Sequence, residues 1–272
     1  MLGTDVCTAG AAAGNDIVAL PRDTLDITDA ALVHAAVRRA APHVVVNCAA
    51  WTDVDGAEAS PQAALAVNGA GAANIARAAA ACGAWTVHVS SDYVFDGAKR
   101  EPYVESDPVG PLSQYGRSKL QGERLVAREA PELHTIVRSA WLFGLGGRCF
   151  PATILRLASE HDVLTVVDDQ IGCPTFTAQL ASALLELARD RVPGVVHAAA
   201  GGGCSWFAFA RAIVERSGAS CEVRAGSTAE LGRPAPRPAY SVLATERATE
   251  VPALPDWRDG LARYMEAVVA AR

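Results

Sequence analysis

The chain has 272 residues, of which half are apolar and a fifth charged, and its formal net charge is −6. This length gives one large domain, or one and a half, with ample core, and the acidic balance excludes an electrostatic surface for nucleic acid. No apolar run approaches the ~18–20 residues that cross a bilayer, so we expect no membrane partner.

The cysteines, the histidines and the N-terminus add limits of their own. Seven cysteines, an odd number without a CxxC pair, are typical of reduced thiols in the cytoplasm. The opening stretch MLGTDVCTAGAAAGND has neither the basic nor the strongly apolar segment of a secretory signal. The cysteines and the N-terminus together predict a cytoplasmic protein. The histidines are scattered as well, so we predict no metal site.

Short apolar runs alternate with helical patterns through the first half of the chain. Asp29 is a candidate N-cap, Pro61 suits the start of a long Ala-rich helix, and the run HVVVNCAA is typical of a buried parallel strand. We predict strands over residues 17–20, 43–50, 85–91 and 135–142, and helices over 30–40, 61–81 and 115–128. This order predicts an α/β fold with a Rossmann-like, doubly wound parallel sheet.

Beyond Trp141 the alternation loosens. We predict helices over residues 150–160, 177–190, 206–217 and from 257 onward, and strands over 164–167 and 195–199. Residues 1–142, with about 168–199, form the predicted dinucleotide-binding domain. The predicted substrate-binding part is smaller and C-terminal, made mainly of 143–167 and 200–272, because elements added after a nucleotide-binding sheet commonly recognise the substrate.

Three side chains near the end of the strand over 85–91 can act together on a carbonyl group. Tyr115 and Lys119 are four residues apart on a predicted helix, so they project from one face, and Ser91 ends the strand. Tyrosine titrates near ~10 in isolation, and a neighbouring cation favours the phenolate. We expect Lys119 to lower the pKa of Tyr115, which then donates a proton while Ser91 holds the substrate oxygen.

An ordinary helix also places a basic residue four positions after a tyrosine. Here only Lys99 and Lys119 are lysines among 24 basic residues, so a charge placed for solvation alone would be expected to be arginine. A planar guanidinium is a poor substitute where a compact ammonium tunes a neighbour. The composition therefore favours the catalytic interpretation.

Six motifs in order carry a resemblance over nearly the whole chain: VNCAAWTDVDGAE, VSSDYVFDG, YGRSKLQGE, VRSAWLFG, VVDDQIGCPT and RPAPRPAYSVL. They resemble the dTDP-4-dehydrorhamnose reductase family of extended short-chain dehydrogenases/reductases. The resemblance implies NAD(P)H-dependent reduction of the 4-keto group of a dTDP-activated 6-deoxyhexose. Some members dimerise, occasionally with Mg²⁺ between subunits. The resemblance therefore allows a homodimer. It also allows Mg²⁺, but no acidic cluster in the sequence supports a Mg²⁺ site.

The resemblance also implies roles for particular residues. Tyr115 and Lys119 match the family's acid and its partner, and Ser91 stands where the family usually has threonine. The residues implied for the sugar are Thr52, Val54, Asp92, Tyr93 and Trp141. Those implied for the dinucleotide are Leu2, Gly3, Asp26, Ile27, Ala49, Ala50 and Lys119. Simpler explanations stay open: Trp141 as core at a strand end, Asp26 as a turn cap, and the two alanines as small packing residues.

The choice of cofactor depends on residue 22. An acidic residue about twenty positions after the glycine-rich turn would bind the adenosine ribose and favour NAD. Pro21-Arg22 stands there instead, and Arg22 could meet a 2′-phosphate. We predict NADPH, with NADH as the alternative and a solvated surface charge as the other explanation of Arg22.

The N-terminus departs from the family pattern. Met1-Leu2-Gly3 aligns with the last part of the family's G-x-x-G-x-x-G turn, where helix N–H groups receive the pyrophosphate. The first strand and the earlier glycines are missing, and that strand is central in a doubly wound sheet. The resemblance therefore implies that roughly ten upstream residues complete the site, and we expect them to precede Met1.

Two other functions compete with the reductase. Sugar-nucleotide dehydratases or epimerases share the fold, but the dehydratases place Asp-Glu after the hydroxyl, where this chain has Asp92-Tyr93. A non-catalytic NAD(P)-binding regulatory subunit would fit the incomplete turn. The intact Ser91, Tyr115 and Lys119 set favours the enzyme.

Overall fold

The computed structural model describes residues 1–270. The helices are α1 Leu2–Ala12, α2 Ala30–Ala40, α3 Val54–Ala59, α4 Pro61–Leu65, α5 Ala72–Ala81, α6 Gln114–Glu129, α7 Phe150–Glu160, α8 Thr177–Asp190, α9 Trp206–Ser217, α10 Thr228–Leu231 and α11 Trp257–Ala270. The strands are β1 Val44–Asn47, β2 Trp85–Ser91, β3 His134–Ser139, β4 Leu142–Phe143, β5 Val163–Val167, β6 Ile171–Gly172, β7 Thr175–Phe176, β8 Gly194–His197, β9 Ala200–Gly201, β10 Cys204–Ser205, β11 Glu222–Gly226 and β12 Leu254–Asp256. Within residues 1–270, no helix is long and apolar enough to span a bilayer.

The central sheet is parallel, with strand order β1-β2-β3-β8. Every residue of β2 and β3 is buried, because each of these strands lies between two others. Ser91 pairs with Ser139, so the carboxyl ends of β2 and β3 meet at one edge of the sheet. This confirms the predicted α/β class, and that edge is where open α/β sheets bind their ligands.

Helices cover both faces of this sheet. On one face Leu2 and Val6 of α1 and Leu184 of α8 pack against Val87 and Val137. On the other face α5 and α6 contact β2, and an alanine-rich layer with Val126 lies against Ile136 of β3. Alanine lets α5 approach closely, since a larger side chain would overpack the interface.

A second core lies among α7, α9, α11 and the paired strands β5 and β11. Its centre is aromatic: Phe143 contacts Phe209 and Tyr264, with ring centroids 5.3 and 5.7 Å apart. Trp257 and Leu261 of α11 close this core and are 2% and 0% exposed. All of these elements follow β3 in the chain, and α9, β11 and α11 also follow β8, the last strand of the central sheet.

Three strand predictions change in the structure. Residues 17–20 form no strand, since within residues 1–270 they pair with no neighbour, and Val18 is 61% exposed. The predicted buried strand over 43–50 is only Val44–Asn47, a half-exposed edge of the sheet. The strand over 135–142 ends at Ser139, because Trp141 has φ 47°, outside the strand region.

The long Ala-rich helix is interrupted by a π-helical turn. Pro61 starts it and Ala81 ends it, but residues 66–71 are π-helical. Such bulges re-aim side chains at functional sites. Here the bulge buries Asn68 towards the loop that follows β1.

Candidate active site

Ser91 and Tyr115 lie side by side at the carboxyl edge of the sheet. Ser91 is the last residue of β2, and its hydroxyl caps the turn Asp92–Val94 by accepting from the Tyr93 N–H at 3.1 Å. Tyr115 is the second residue of α6, which Ser113 caps through the Gly116 N–H. The strand end and the capped helix start therefore fix both hydroxyls from the backbone.

Close backbone contact brings α6 onto this edge. A Cβ on Gly116 would lie 2.2 Å from the carbonyl oxygen of Tyr93, so only glycine fits. Directly before Gly116, the Tyr115 ring meets the Tyr93 ring edge to face, with centroids 5.6 Å apart and an interplanar angle of 80°. Such pairs restrict both rings.

The ionisation of Tyr115 differs from the sequence-based expectation. Burial raises the pKa of Tyr115 to about 12, and the adjacent Ser91 hydroxyl lowers it only in part. Lys119 is 2% exposed and donates from Nζ to the carbonyl oxygen of Val89 at 2.7 Å. It is not among the groups that shift the pKa of the Tyr115 phenol. The expected lowering of the Tyr115 pKa by Lys119 is therefore absent from this arrangement.

Lys119 is itself tuned by burial. Desolvation lowers the pKa of Lys119 to about 8, and the Glu123 carboxylate one turn further along α6 opposes that shift. A compact ammonium responds to burial in this way, unlike a guanidinium. The amine can thus change charge close to neutral pH.

Asp92 is a buried carboxyl group beside Ser91. Its Oδ1 accepts from the Ser91 hydroxyl at 2.9 Å, and its Oδ2 accepts from the Ser241 hydroxyl at 2.6 Å. Burial raises the pKa of Asp92 to about 6, although both hydrogen bonds lower it. Ser241 belongs to the RPAPRPAYSVL segment, so Asp92 connects the turn after β2 to the C-terminal part of the chain.

Asn68 holds the loop that leads from β1 to α3. Its side-chain amide accepts from the Trp51 N–H at 2.8 Å and donates to the Trp51 carbonyl at 3.1 Å. It also donates to Ser118 Oγ at 2.9 Å, and Ser118 in turn donates to the Tyr115 carbonyl at 2.7 Å. One amide therefore joins this loop to the helix that carries Tyr115.

The residues expected at the dinucleotide pyrophosphate lie near one another. Gly3 approaches Cys48, since a Cβ on Gly3 would lie 3.7 Å from Cys48 Cβ, so the start of α1 faces the end of β1. Ala49 is exposed and Ala50 half-buried directly after that strand. Leu2 turns into the core at 8% exposed.

The residues expected at the adenosine end lie on a surface loop. Asp26 is exposed and accepts from the N–H and hydroxyl of Thr28, which lower its pKa, so it does cap a turn. Ile27 is 9% exposed and packs in the core. Arg22 is exposed, and its charge also lowers the pKa of Asp26.

Of the remaining residues expected at the sugar, Thr52 is exposed and Val54 starts α3. Trp141 lies two residues beyond Ser139 and is half-buried against a separate apolar cluster that includes Phe95, Tyr103 and Leu243. A Cβ on Gly172 would lie 2.4 Å from the indole, so Trp141 occupies that space. The structure thus gathers Trp141, Asp92 and Tyr93 around the carboxyl edge of β2 and β3.

The family model for the RmlD substrate binding domain matches residues 1–270. The chain belongs to the dTDP-4-dehydrorhamnose reductase family. The resemblance carried by the six sequence motifs is therefore confirmed.

Individual members of the family are similar over almost their full length. A dTDP-4-dehydrorhamnose reductase of Streptomyces griseus is 44% identical, over 98% of this chain and 91% of that protein. A dTDP-4-keto-6-deoxy-D-glucose reductase of Streptomyces niveus is 41% identical, over 89% of this chain and 85% of that protein. The solved Bacillus anthracis dTDP-4-dehydrorhamnose reductase in complex with NADP has a TM-score of 0.94 at 36% identity, covering 98% of this chain and 95% of that one.

Two of the six sequence motifs are joined by an ion pair that the sequence analysis did not predict. Asp55, in the first turn of α3, accepts from both terminal nitrogens of Arg237 at 3.0 Å. Arg233 and the Ala235 N–H donate to the same carboxylate at 3.1 Å, and Arg237 above all lowers the pKa of Asp55 to about 2. Arg237 also lies beside the Tyr93 phenol.

A signal for this pair was present in the sequence. Arg233 and Arg237 are each followed by proline in RPAPRP, which stiffens the loop and restricts where each guanidinium can reach. Their acidic partner is some 180 positions earlier in the chain. Only the folded chain identifies it.

Proposed function

We propose that this chain reduces the 4-keto group of a dTDP-4-dehydro-6-deoxyhexose with NADPH, in deoxysugar or rhamnose biosynthesis. One observation carries the proposal: the Ser91 hydroxyl and the Tyr115 phenol adjoin at the carboxyl edge of a parallel sheet, with Lys119 on the same helix face. Membership of a family whose similar proteins are named dTDP-sugar reductases supports the substrate class.

The residues present fit a dinucleotide. The N-terminus of α1 faces the end of β1, where exposed N–H groups favour a phosphate, and the small Ala49 and Ala50 leave room beside it. NADPH, when bound, supplies a hydride to the sugar C4. In our proposal Leu2, Gly3, Ala49 and Ala50 lie along the dinucleotide.

The adenosine end would be held by Asp26, Ile27 and Arg22. We assign Arg22 to the 2′-phosphate, because an exposed guanidinium can pair with it in two hydrogen bonds. The NADP complex of a similar structure supports NADPH over NADH. Lys119 would contact the nicotinamide ribose.

The chain's own groups would then complete the reduction. As C4 gains a hydride, its oxygen gains negative charge, which the Ser91 and Tyr115 hydroxyls stabilise. Tyr115 transfers its proton to that oxygen. A phenol whose pKa is raised stays protonated until charge develops beside it.

We assign sugar contacts to Thr52, Val54, Asp92, Tyr93 and Trp141. The division into a dinucleotide-binding domain, 1–142 with about 168–199, and a substrate-binding remainder stays a prediction. A cytoplasmic location is supported by seven free cysteines. A homodimer stays an expectation. No group of three His, Cys, Asp or Glu side chains within residues 1–270 is arranged to bind Mg²⁺.

A turnover assay tests the function directly. Purified protein is incubated with NADPH and a small panel of dTDP-4-keto-6-deoxy sugars, and loss of NADPH absorbance is followed while NMR identifies each product. The expected result is one mole of hydroxy sugar formed per mole of NADPH oxidised. NADPH binding without turnover of any sugar would instead identify a regulatory subunit, and release of water would identify a dehydratase.

A further inference from the structure

Glu123 continues the row of site residues along α6. Tyr115, Lys119 and Glu123 are spaced by four, so they share one face of the helix. Lys119 Nζ donates to the Val89 carbonyl at 2.7 Å, and the next strand residue, Ser90, donates from its hydroxyl to Glu123 Oε1 at 2.6 Å. The end of β2 is thus tied to α6 through two neighbouring residues.

The Glu123 carboxylate is buried and fully occupied. Arg138 of β3 donates from Nε to Oε1 at 2.9 Å and from Nη2 to Oε2 at 2.8 Å. Glu123 is 4% exposed and Arg138 5%. The remaining guanidinium nitrogen Nη1 lies 3.4 Å from His197 Nε2, and the Phe95 ring covers the guanidinium at 5.1 Å.

Such a pair is a poor device for stability alone. Desolvating two charges costs roughly what their attraction returns, so apolar replacements of similar volume are often neutral or stabilising. The pair therefore suggests a purpose beyond holding α6 against β3. Its position one turn from Lys119 indicates what that purpose is.

Within residues 1–270, Glu123 is the anion that acts on Lys119 near neutral pH. Two other titratable groups interact with the amine, Cys48 after β1 and His88 on β2, and both are uncharged near neutral pH. Tyr115 lies on the same helix face one turn before Lys119, and Arg138 of β3 pairs with Glu123. Burial raises the pKa of Cys48 to about 12 and keeps that of His88 well below its ordinary value.

We propose that Glu123, held by Arg138 and Ser90, is a positioning residue that keeps Lys119 protonated and the Ser90–Ser91 strand end against α6. This inference rests on the proposed function, in which Lys119 contacts the nicotinamide ribose as an ammonium group. It concerns a residue outside the hydroxyl, phenol and ammonium set.

The chain offers an unusually direct measurement, because Lys99 and Lys119 are its only lysines. Protein carrying ¹³C-labelled lysine gives two Cε signals, and Lys119→Met assigns them. Lys99, ion-paired to Asp107 at 2.6 Å and partly exposed, is the internal reference. Lys119 is expected to titrate near pH 8 in the ligand-free protein.

Three variants separate charge from structure. Glu123→Gln keeps the shape and an acceptor for Ser90 but removes the charge, so the Lys119 midpoint should fall by at least about one pH unit. Arg138→Met keeps the carboxylate, so the midpoint should stay or rise. Glu123→Gln with Arg138→Met leaves no unpaired buried charge, should fold like the parent, and should also lower the midpoint.

The same variants are then assayed for turnover. The alkaline limb of kcat/KM should move to lower pH in both Glu123→Gln proteins and not in Arg138→Met, with KM for the sugar little changed. A Lys119 midpoint that is the same in the parent and the double variant would overturn the proposal. If the parent protein turns over no sugar, the proposed function fails, while the NMR titration still tests the charge coupling.

Discussion

The indole of Trp141 lies face to face with the indole of Trp206, with ring centroids 3.5 Å apart and planes 3° apart. Trp141 has φ 47°, and Trp206 is the first residue of α9. A non-glycine residue in this conformation is strained and persists only where its surroundings hold it. The stack therefore connects the boundary of the candidate site to the second core.

Loss of either indole should weaken the other's position. In a double-mutant cycle, Trp141→Leu and Trp206→Leu should couple by about 0.5–1.5 kcal/mol in the free energy of unfolding, measured with urea. Trp206→Leu should also raise KM for the sugar without changing NADPH affinity. Trp85→Leu, at the far end of β2, is the control and should be additive with Trp141→Leu; additivity of the stacked pair would contradict the prediction.

Tyr115→Phe should lower kcat by about 10²–10⁴, the usual contribution of a positioned acid. The phenyl ring keeps the edge-to-face contact with Tyr93, so NADPH binding should be nearly unchanged. Stopped-flow turnover and fluorescence titration measure the two quantities. Tyr264→Phe, which removes a hydroxyl from the second core, is the matched control and should retain kcat. Near-normal turnover of Tyr115→Phe would remove it from the mechanism.

Asp92 should make stability depend on pH in a defined direction. Its pKa is about 6 in the folded chain against 3.8 for the ordinary group. The folded state therefore holds the Asp92 proton to higher pH than the unfolded state does. The stabilisation from this proton is complete below the unfolded pKa of 3.8 and is lost as the pH rises through the folded pKa of about 6. A difference of about two pKa units corresponds to about 3 kcal/mol of unfolding free energy.

Asp92→Asn tests that direction. Between about pH 3 and about pH 7, the free energy of unfolding of the parent should fall by about 3 kcal/mol relative to the variant. Urea unfolding at intervals across this range provides the comparison. Parallel pH profiles for the two proteins would show that folding does not shift the pKa of Asp92 and would contradict the prediction.

Arg22→Ala should reduce the preference for NADPH over NADH. Losing a charged hydrogen-bond donor to the 2′-phosphate costs about 1.5–3 kcal/mol, or about 10–100-fold in the ratio of kcat/KM for the two cofactors. Arg38→Ala, a substitution near the end of α2, should leave the ratio unchanged. An unaltered ratio in Arg22→Ala would make that residue a solvated surface charge.

The two arginines that pair with Asp55 should contribute unequally to the free energy of unfolding. Arg237 is 12% exposed and pairs through two nitrogens, so Arg237→Met should cost about 1–3 kcal/mol of unfolding free energy. Arg233 is 54% exposed and uses one nitrogen, so Arg233→Met should cost at most about 1 kcal/mol. Equal costs in urea unfolding would contradict this ranking.

Local sequence determined most helices and the outline of the site. Asp29 does cap α2, and α7, α8 and α9 begin and end as predicted, because caps and amphipathic spacing act within a few residues. The spacing of Tyr115 and Lys119 was readable for the same reason. The order of the six motifs was enough to identify the family.

Only the tertiary structure decided the properties that depend on distant partners. Residues 17–20 look like a strand, yet a strand exists only where another pairs with it. Lys119 donates to Val89, and burial raises the pKa of Tyr115, because desolvation is set by everything packed around a group. The pairs Glu123–Arg138 and Asp55–Arg237 join separate elements, and spacing along the chain carries no record of which charges folding will bring together.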